Sequence, residues 1–120
     1  MAELTLGTGE ARFADIIWEN EPITASQLVK NSENELKWKK TTSYTVLKRL
    51  CEKGIFQNVN GVVTSLISKK EFFSLQSEKF VEETFGGSLP AFVAAFTSRK
   101  SLSAKEVKEL RELIDKYGEE

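Results

Sequence analysis

The apolar spacing of this chain changes period at Gly54, and that change restricts the fold more than any other feature. Upstream, in WKKTTSYTVLKRLCEKG, the residues Ser43, Val46, Leu47 and Leu50 share one side of a helical projection at about 100° per residue. Thr41, Thr45, Lys48 and Glu52 fall opposite, flanked by Thr42, Tyr44 and Arg49. Downstream, Ile55 to Val59 and Val62 to Ile67 are two β-rich runs joined by Asn60-Gly61, the dipeptide preferred in a two-residue hairpin turn. Gly54 stands where a left-handed residue ends a helix, and Lys53 sits at the negative end of its dipole. A helix followed directly by a hairpin is what a winged helix requires: one face of the helix packs, and the other is offered to a partner.

Charge points to the partner. Lys37, Lys39, Lys40, Lys48, Arg49 and Lys53 stand against Glu52 alone, so residues 37 to 53 carry +5 in a chain whose net charge is −1. Residues 1 to 36 carry −5, residues 54 to 70 carry +2, and residues 71 to 120 carry −3. Local sign rather than total charge governs attraction to phosphate, so the basic helix is a candidate for DNA recognition. On charge alone a merely solvated helix face fits equally well. No Lys or Arg occurs between Ile55 and Ser68, so the wing is expected to add little phosphate attraction, leaving Asn58, Asn60 or backbone amides for polar contacts.

A chain of 120 residues with 40% apolar and 29% charged content is one ordinary domain, with room for an appendage. No apolar run approaches the roughly 18 residues of a bilayer span, and MAELTLGTGE does not resemble an export signal, so a cytoplasmic protein without membrane insertion is expected. With no histidine and the single Cys51, neither a metal nor any other cofactor is expected. No phosphate loop, metal motif or nucleophile-base pair stands out, which argues against an enzyme. Cys51, Trp18 and Trp38 read as packing residues.

Taken in order, Thr8 can cap a helix to about Glu19 with Phe13, Ile16, Ile17 and Asn20 at helical spacing, closed by Pro22. Thr24 and Gln27 resemble a capping box opening a short second helix with Leu28 and Val29 inward, and the polar run Lys30 to Glu35 has weak helix definition. Beyond the hairpin, Ser68 with Glu71 opens a helix ending near Gly86-Gly87. Ser88 opens another with Pro90 in its first turn, and Ser103 with Glu106 a last one. These helices carry Phe73, Phe80, Leu89, Phe92, Val93, Phe96, Leu110 and Ile114, more apolar surface than they could bury alone. A second copy of the same segment is the expected partner, giving a homodimer, and folding back on the N-terminal part is the alternative. The expected fold is therefore mainly α with a small β-hairpin: a winged helix-turn-helix DNA-binding domain over residues 1–70, followed by a helical dimerisation domain over residues 71–120.

The ordered set TTSYTVLKRLCEKG, SLISKKEFFSLQSEKF, FGGSLPAFVAAF and LSAKEVKELRELIDKY resembles the penicillinase and methicillin-resistance repressor family over nearly the whole chain. The resemblance implies a dimeric repressor of antibiotic-resistance or related genes that binds inverted repeats in double-stranded operator DNA. It places the DNA-facing positions on Thr41, Thr42, Tyr44 and Thr45, with Lys39, Lys40, Lys48 and Arg49 as phosphate neighbours. Relatives often carry a basic side chain where Tyr44 stands, and basic residues in the wing, so the operator sequence is left open. The resemblance also implies control by proteolysis in some members, through a membrane sensor protease. The bond then corresponds to Ala95-Phe96, with Ala95 where those relatives have asparagine; Phe96 is equally explained as a dimer-core residue. The copper-responsive branch carries a cysteine-rich tail, whereas this chain ends in GEE, so metal sensing is not expected. The competing reading is a winged-helix protein-interaction module without sequence-specific DNA binding, its basic helix only solvated.

Overall fold

The computed structural model describes residues 5–119. Six helices and three short strands follow one another: α1 (Thr8–Asn20), β1 (Ile23–Thr24), α2 (Ala25–Leu36), α3 (Lys40–Glu52), β2 (Phe56–Val59), β3 (Val62–Ser65), α4 (Lys69–Phe85), α5 (Leu89–Thr97) and α6 (Ala104–Tyr117). They form two compact units, divided between Glu78 and Lys79 inside α4.

The first unit is a winged helix-turn-helix. Its core collects Phe13, Ile17, Leu28, Leu50, Ile55, Phe56, Val63 and Phe72, all but removed from water. Truncating any of these large side chains to alanine is worth about 2–5 kcal/mol, so the three helices and the sheet are tied to one another. Asn60 and Gly61 turn with φ of 52° and 82°, the two positive values that a hairpin matched to strand twist requires. The hairpin registers Val59 with Val62 and Phe56 with Ser65. Trp18 closes the base of the wing: its ring lies 5.1 Å from Phe56 and 5.6 Å from Phe72, and its Nε1 donates to the Ile67 carbonyl at 3.1 Å.

Three local features differ from the sequence expectation. The N-cap of α1 is Gly7 rather than Thr8, because the Glu10 carboxylate reaches back to accept from the Gly7 N–H at 3.1 Å. Asn20 is exposed, not inward, and its side-chain amide donates to the Ile16 carbonyl at 2.8 Å. The hairpin is joined by a third strand, Ile23 opposite Val63 and Thr24 opposite Val62, so the sheet order is β1-β3-β2.

The run Lys30 to Glu35, weakly defined in the sequence, continues α2 without a break, and Ser32 is the reason. It is fully buried and its hydroxyl meets that of buried Ser43 in α3 at 2.6 Å. The hydroxyls satisfy each other where water does not reach. Ser43→Ala is expected to lower stability by about 1–3 kcal/mol by stranding the Ser32 hydroxyl, and adding Ser32→Ala should recover most of the loss. Urea unfolding of the single and double variants checks this, and simply additive losses would contradict it.

The second unit contains the end of α4, α5 and α6. Serines cap both later helices: Ser88 accepts from the Ala91 N–H and Ser103 from the Glu106 N–H, each at 3.1 Å, while the Glu106 carboxylate accepts from the Ser103 N–H at 2.9 Å. Phe80, Phe85 and Phe92 pack edge-on with centroids 5.5–5.9 Å apart, and Phe96 lies 6.5 Å from Phe92. Neither α5 nor α6 buries a single residue fully.

Candidate nucleic-acid interface

The presentation of α3 begins one turn earlier. Lys37 takes a left-handed conformation, φ 61°, and reverses the chain directly after α2. Trp38 then stacks on Phe13 of α1, centroids 5.3 Å apart and planes 15° from parallel, which fixes where α3 starts. Ser43, Val46, Leu47 and Leu50 turn into the core. A helix that buries those four must turn its other side outward. Lys39, Lys40, Thr41, Thr42, Tyr44, Thr45, Lys48 and Arg49 are all exposed, and even the large Tyr44 ring keeps 42% of its surface in water. Lys39 is the N-cap and makes no side-chain cap bond, so the first-turn N–H groups stand at the positive end of the dipole beside two lysines.

The polar groups on this face are not equally available. The Thr45 hydroxyl donates to the Thr41 carbonyl at 2.9 Å, so Thr45 offers its methyl group and oxygen lone pairs to a partner. Arg49 is drawn toward α1, with Nη1 3.3 Å from Oε2 of Glu10. Lys53 lies with Nζ 3.6 Å from Oε1 of Glu10 and donates to the Thr5 carbonyl at 2.9 Å. The Gly7 N–H, then Arg49 and Lys53, hold the Glu10 carboxyl below the usual carboxylate range against the opposing effect of burial. The sequence reading did not single out Glu10. No local pattern could have shown a carboxylate meeting cations 39 and 43 positions away.

In the wing, Val59 and Val62 are 55% and 40% exposed, and Asn58 and Asn60 face water. Cys51 is half-buried at the edge of the inward face, and burial, with Glu52, pushes its thiol pKa up. Among the described residues no three His, Cys, Asp or Glu side chains come together to hold a metal, and no helix is long and apolar enough to cross a membrane.

The residues expected at a dimer interface fall into both units. In the second, Phe80, Leu89, Val93, Phe96, Leu110 and Ile114 are all exposed, while Phe92 is half-buried within the phenylalanine cluster. Phe73 belongs to the first unit, 6.5 Å from Trp18, with 47% of its surface exposed. Ala95 and Phe96 lie in the second half of α5, both exposed. A groove of about 320 Å³ runs between α5 and α6, lined by Phe92, Phe96, Leu102, Leu110 and Leu113 and edged by Glu106 and Glu109.

A family model described as penicillinase repressor matches residues 6–116 of the chain. The chain belongs to the penicillinase repressor family. Its similar relatives include the penicillinase repressor of Bacillus licheniformis, 23% identical over 116 residues, covering 93% of this chain and 91% of the relative. The methicillin resistance regulatory protein MecI of Staphylococcus aureus (strain Mu50) is 24% identical over 115 residues, covering 92% and 94%. The penicillinase repressor of Staphylococcus aureus is 23% identical over 117 residues, covering 94% and 93%. The match spans the winged helix and the C-terminal helices together. The penicillinase repressor family is one of transcriptional repressors and not of enzymes.

Proposed function

We propose that this chain represses transcription as a homodimer, two α3 helices entering successive major grooves on one face of a two-fold operator. The observation that supports this most is the separation of α3 into a side that is wholly packed and a side on which every cation, threonine and tyrosine meets water. Thr41, Thr42, Tyr44 and Thr45 read base edges, and Lys39, Lys40, Lys48 and Arg49 neutralise flanking phosphates. Tyr44 contributes one hydroxyl and apolar contact with a thymine methyl, in place of a guanine-reading cation. The C-terminal apolar faces join the protomers so that the half-sites lie about one helical turn, or a small multiple, apart. Repression then comes from occupancy, of genes for antibiotic resistance like those named for the relatives.

Selecting bound fragments from the source genome tests the whole reading. Recovered fragments should share an inverted repeat. Four cations per protomer should make the affinity for it fall with salt at a log-log slope approaching about −7. Fragments without two-fold symmetry, or binding indifferent to salt, would contradict it. Within the same proposal, a membrane sensor protease inactivates the dimer by cutting Ala95-Phe96, which detaches α6 from α4. Mass spectrometry after incubation with the protease should find a fragment ending at Ala95; cuts elsewhere, or none, remove this route.

A further inference from the structure

We infer that Glu10 is an electrostatic brake on DNA binding, competing with phosphate for Arg49 and Lys53 and keeping the affinity for arbitrary sequence low. The inference rests on the reading of α3 as the DNA-contacting helix. Glu10 sits in the first turn of α1, outside the basic segment, yet its two carboxylate oxygens approach two of that segment's six cations, Arg49 at 3.3 Å and Lys53 at 3.6 Å. It is itself anchored: Oε1 accepts from the Gly7 N–H at 3.1 Å, and its side chain is only 16% exposed. Anchored this way, the carboxylate cannot swing aside at little cost when a phosphate approaches. Arg49 is different, with 52% of its side chain in water and most of its five donors unspent, so it is within a rotamer change of a phosphate. Three consequences follow for a DNA duplex. The carboxylate repels the backbone, it competes with phosphate for Arg49, and it cancels part of the charge that would otherwise bind every sequence alike. Base-edge contacts from Thr41 to Thr45 are untouched by it. A fixed anion beside the phosphate-binding cations therefore lowers the sequence-independent part of the affinity, the part that holds the protein on bulk DNA.

The test uses the full chain and a labelled mixed-sequence duplex longer than two half-sites, with binding read by fluorescence anisotropy over a series of salt concentrations. Glu10→Gln keeps an oxygen for the Gly7 N–H and removes the charge; Glu10→Ser is a second neutral variant should the first fail to fold. Either is expected to bind this duplex about threefold to tenfold more tightly at low salt, with a salt slope steeper by at least about one. In an Arg49→Gln, Lys53→Gln background the same change should gain little, because nothing is left to release. Unchanged or weaker binding of the neutral variants, while the parent binds with a clear salt dependence, overturns the brake and leaves the function standing. A gain that persists in the doubly substituted background overturns it as well. A parent chain that binds no duplex removes both.

Discussion

Lys48→Glu is expected to weaken operator binding by about two to three orders of magnitude while leaving the fold and the oligomeric state intact. The proposed dimer would lose two positive charges and gain two negative ones in the middle of its contact surface, and repulsion of that kind beside phosphate costs about 10²- to 10³-fold at moderate salt. Lys48 is the right position because it stands on the outward face of α3 and, among the described residues, has no ion pair to lose. Its replacement should therefore move the urea midpoint by no more than about 0.5 kcal/mol worth of stability. Arg49→Glu is a less clean probe, since it places a second carboxylate against Glu10. The decisive control is Lys105→Glu, the same change of charge on α6, where the side chain is 86% exposed and its 3.9 Å pair with Glu109 is a surface contact worth little to stability. If net charge alone drives binding, both variants fail together. If α3 is the contact surface, Lys105→Glu binds the operator like the parent. Gel shift and anisotropy measure the affinities. Equal losses in the two variants, or full binding by Lys48→Glu, would sink the assignment of α3.

Which side of α3 packs and which faces water was readable from the chain because the determinants are local. Which side chains of a helix turn inward follows from their spacing, and Ser43, Val46, Leu47 and Leu50 are spaced for a single face. The wing turn was equally legible, as few dipeptides other than Asn60-Gly61 accept two positive φ values. The helix starts at Ser88 and Ser103 were set by residues three positions apart. What escaped was non-local. Strand β1 is two residues long and owes its existence to pairing with β3, some forty positions later, so no alternation could announce it. The second half of α2 looked too polar to pack because hydropathy scores Ser32 as a surface residue, and only the Ser43 hydroxyl makes burying it tolerable. Glu10 escaped for the same reason: its significance lies in which cations the fold brings to it. Features encoded by near neighbours could be read, and those encoded by contacts across the core could not.

The second large effect concerns the far end of the chain, where the proposed contact is with another molecule and no local pattern can encode it. Ile114 is 66% exposed on α6 and Leu113 beside it 52%. In a protein that works as a monomer, Ile114→Asp removes an apolar side chain from water and should be neutral or mildly favourable to folding and solubility. If α6 packs against a second copy, the same substitution places two carboxylates in a desolvated interface without partners. Hot-spot losses of that kind run to about 2–4 kcal/mol, which is about 30- to 1,000-fold in the dimer dissociation constant. Sedimentation velocity should then show a dimeric parent and a monomeric variant at micromolar concentration. Operator affinity should fall by about 10²- to 10⁴-fold although α3 is untouched, since one recognition helix alone loses the effective concentration its twin provides. The two readouts must move together. A variant that is monomeric yet binds the operator undiminished would mean that half-sites are occupied independently. A parent that sediments as a monomer with Ile114 in place would mean that the exposed faces of α5 and α6 are covered by something other than this chain.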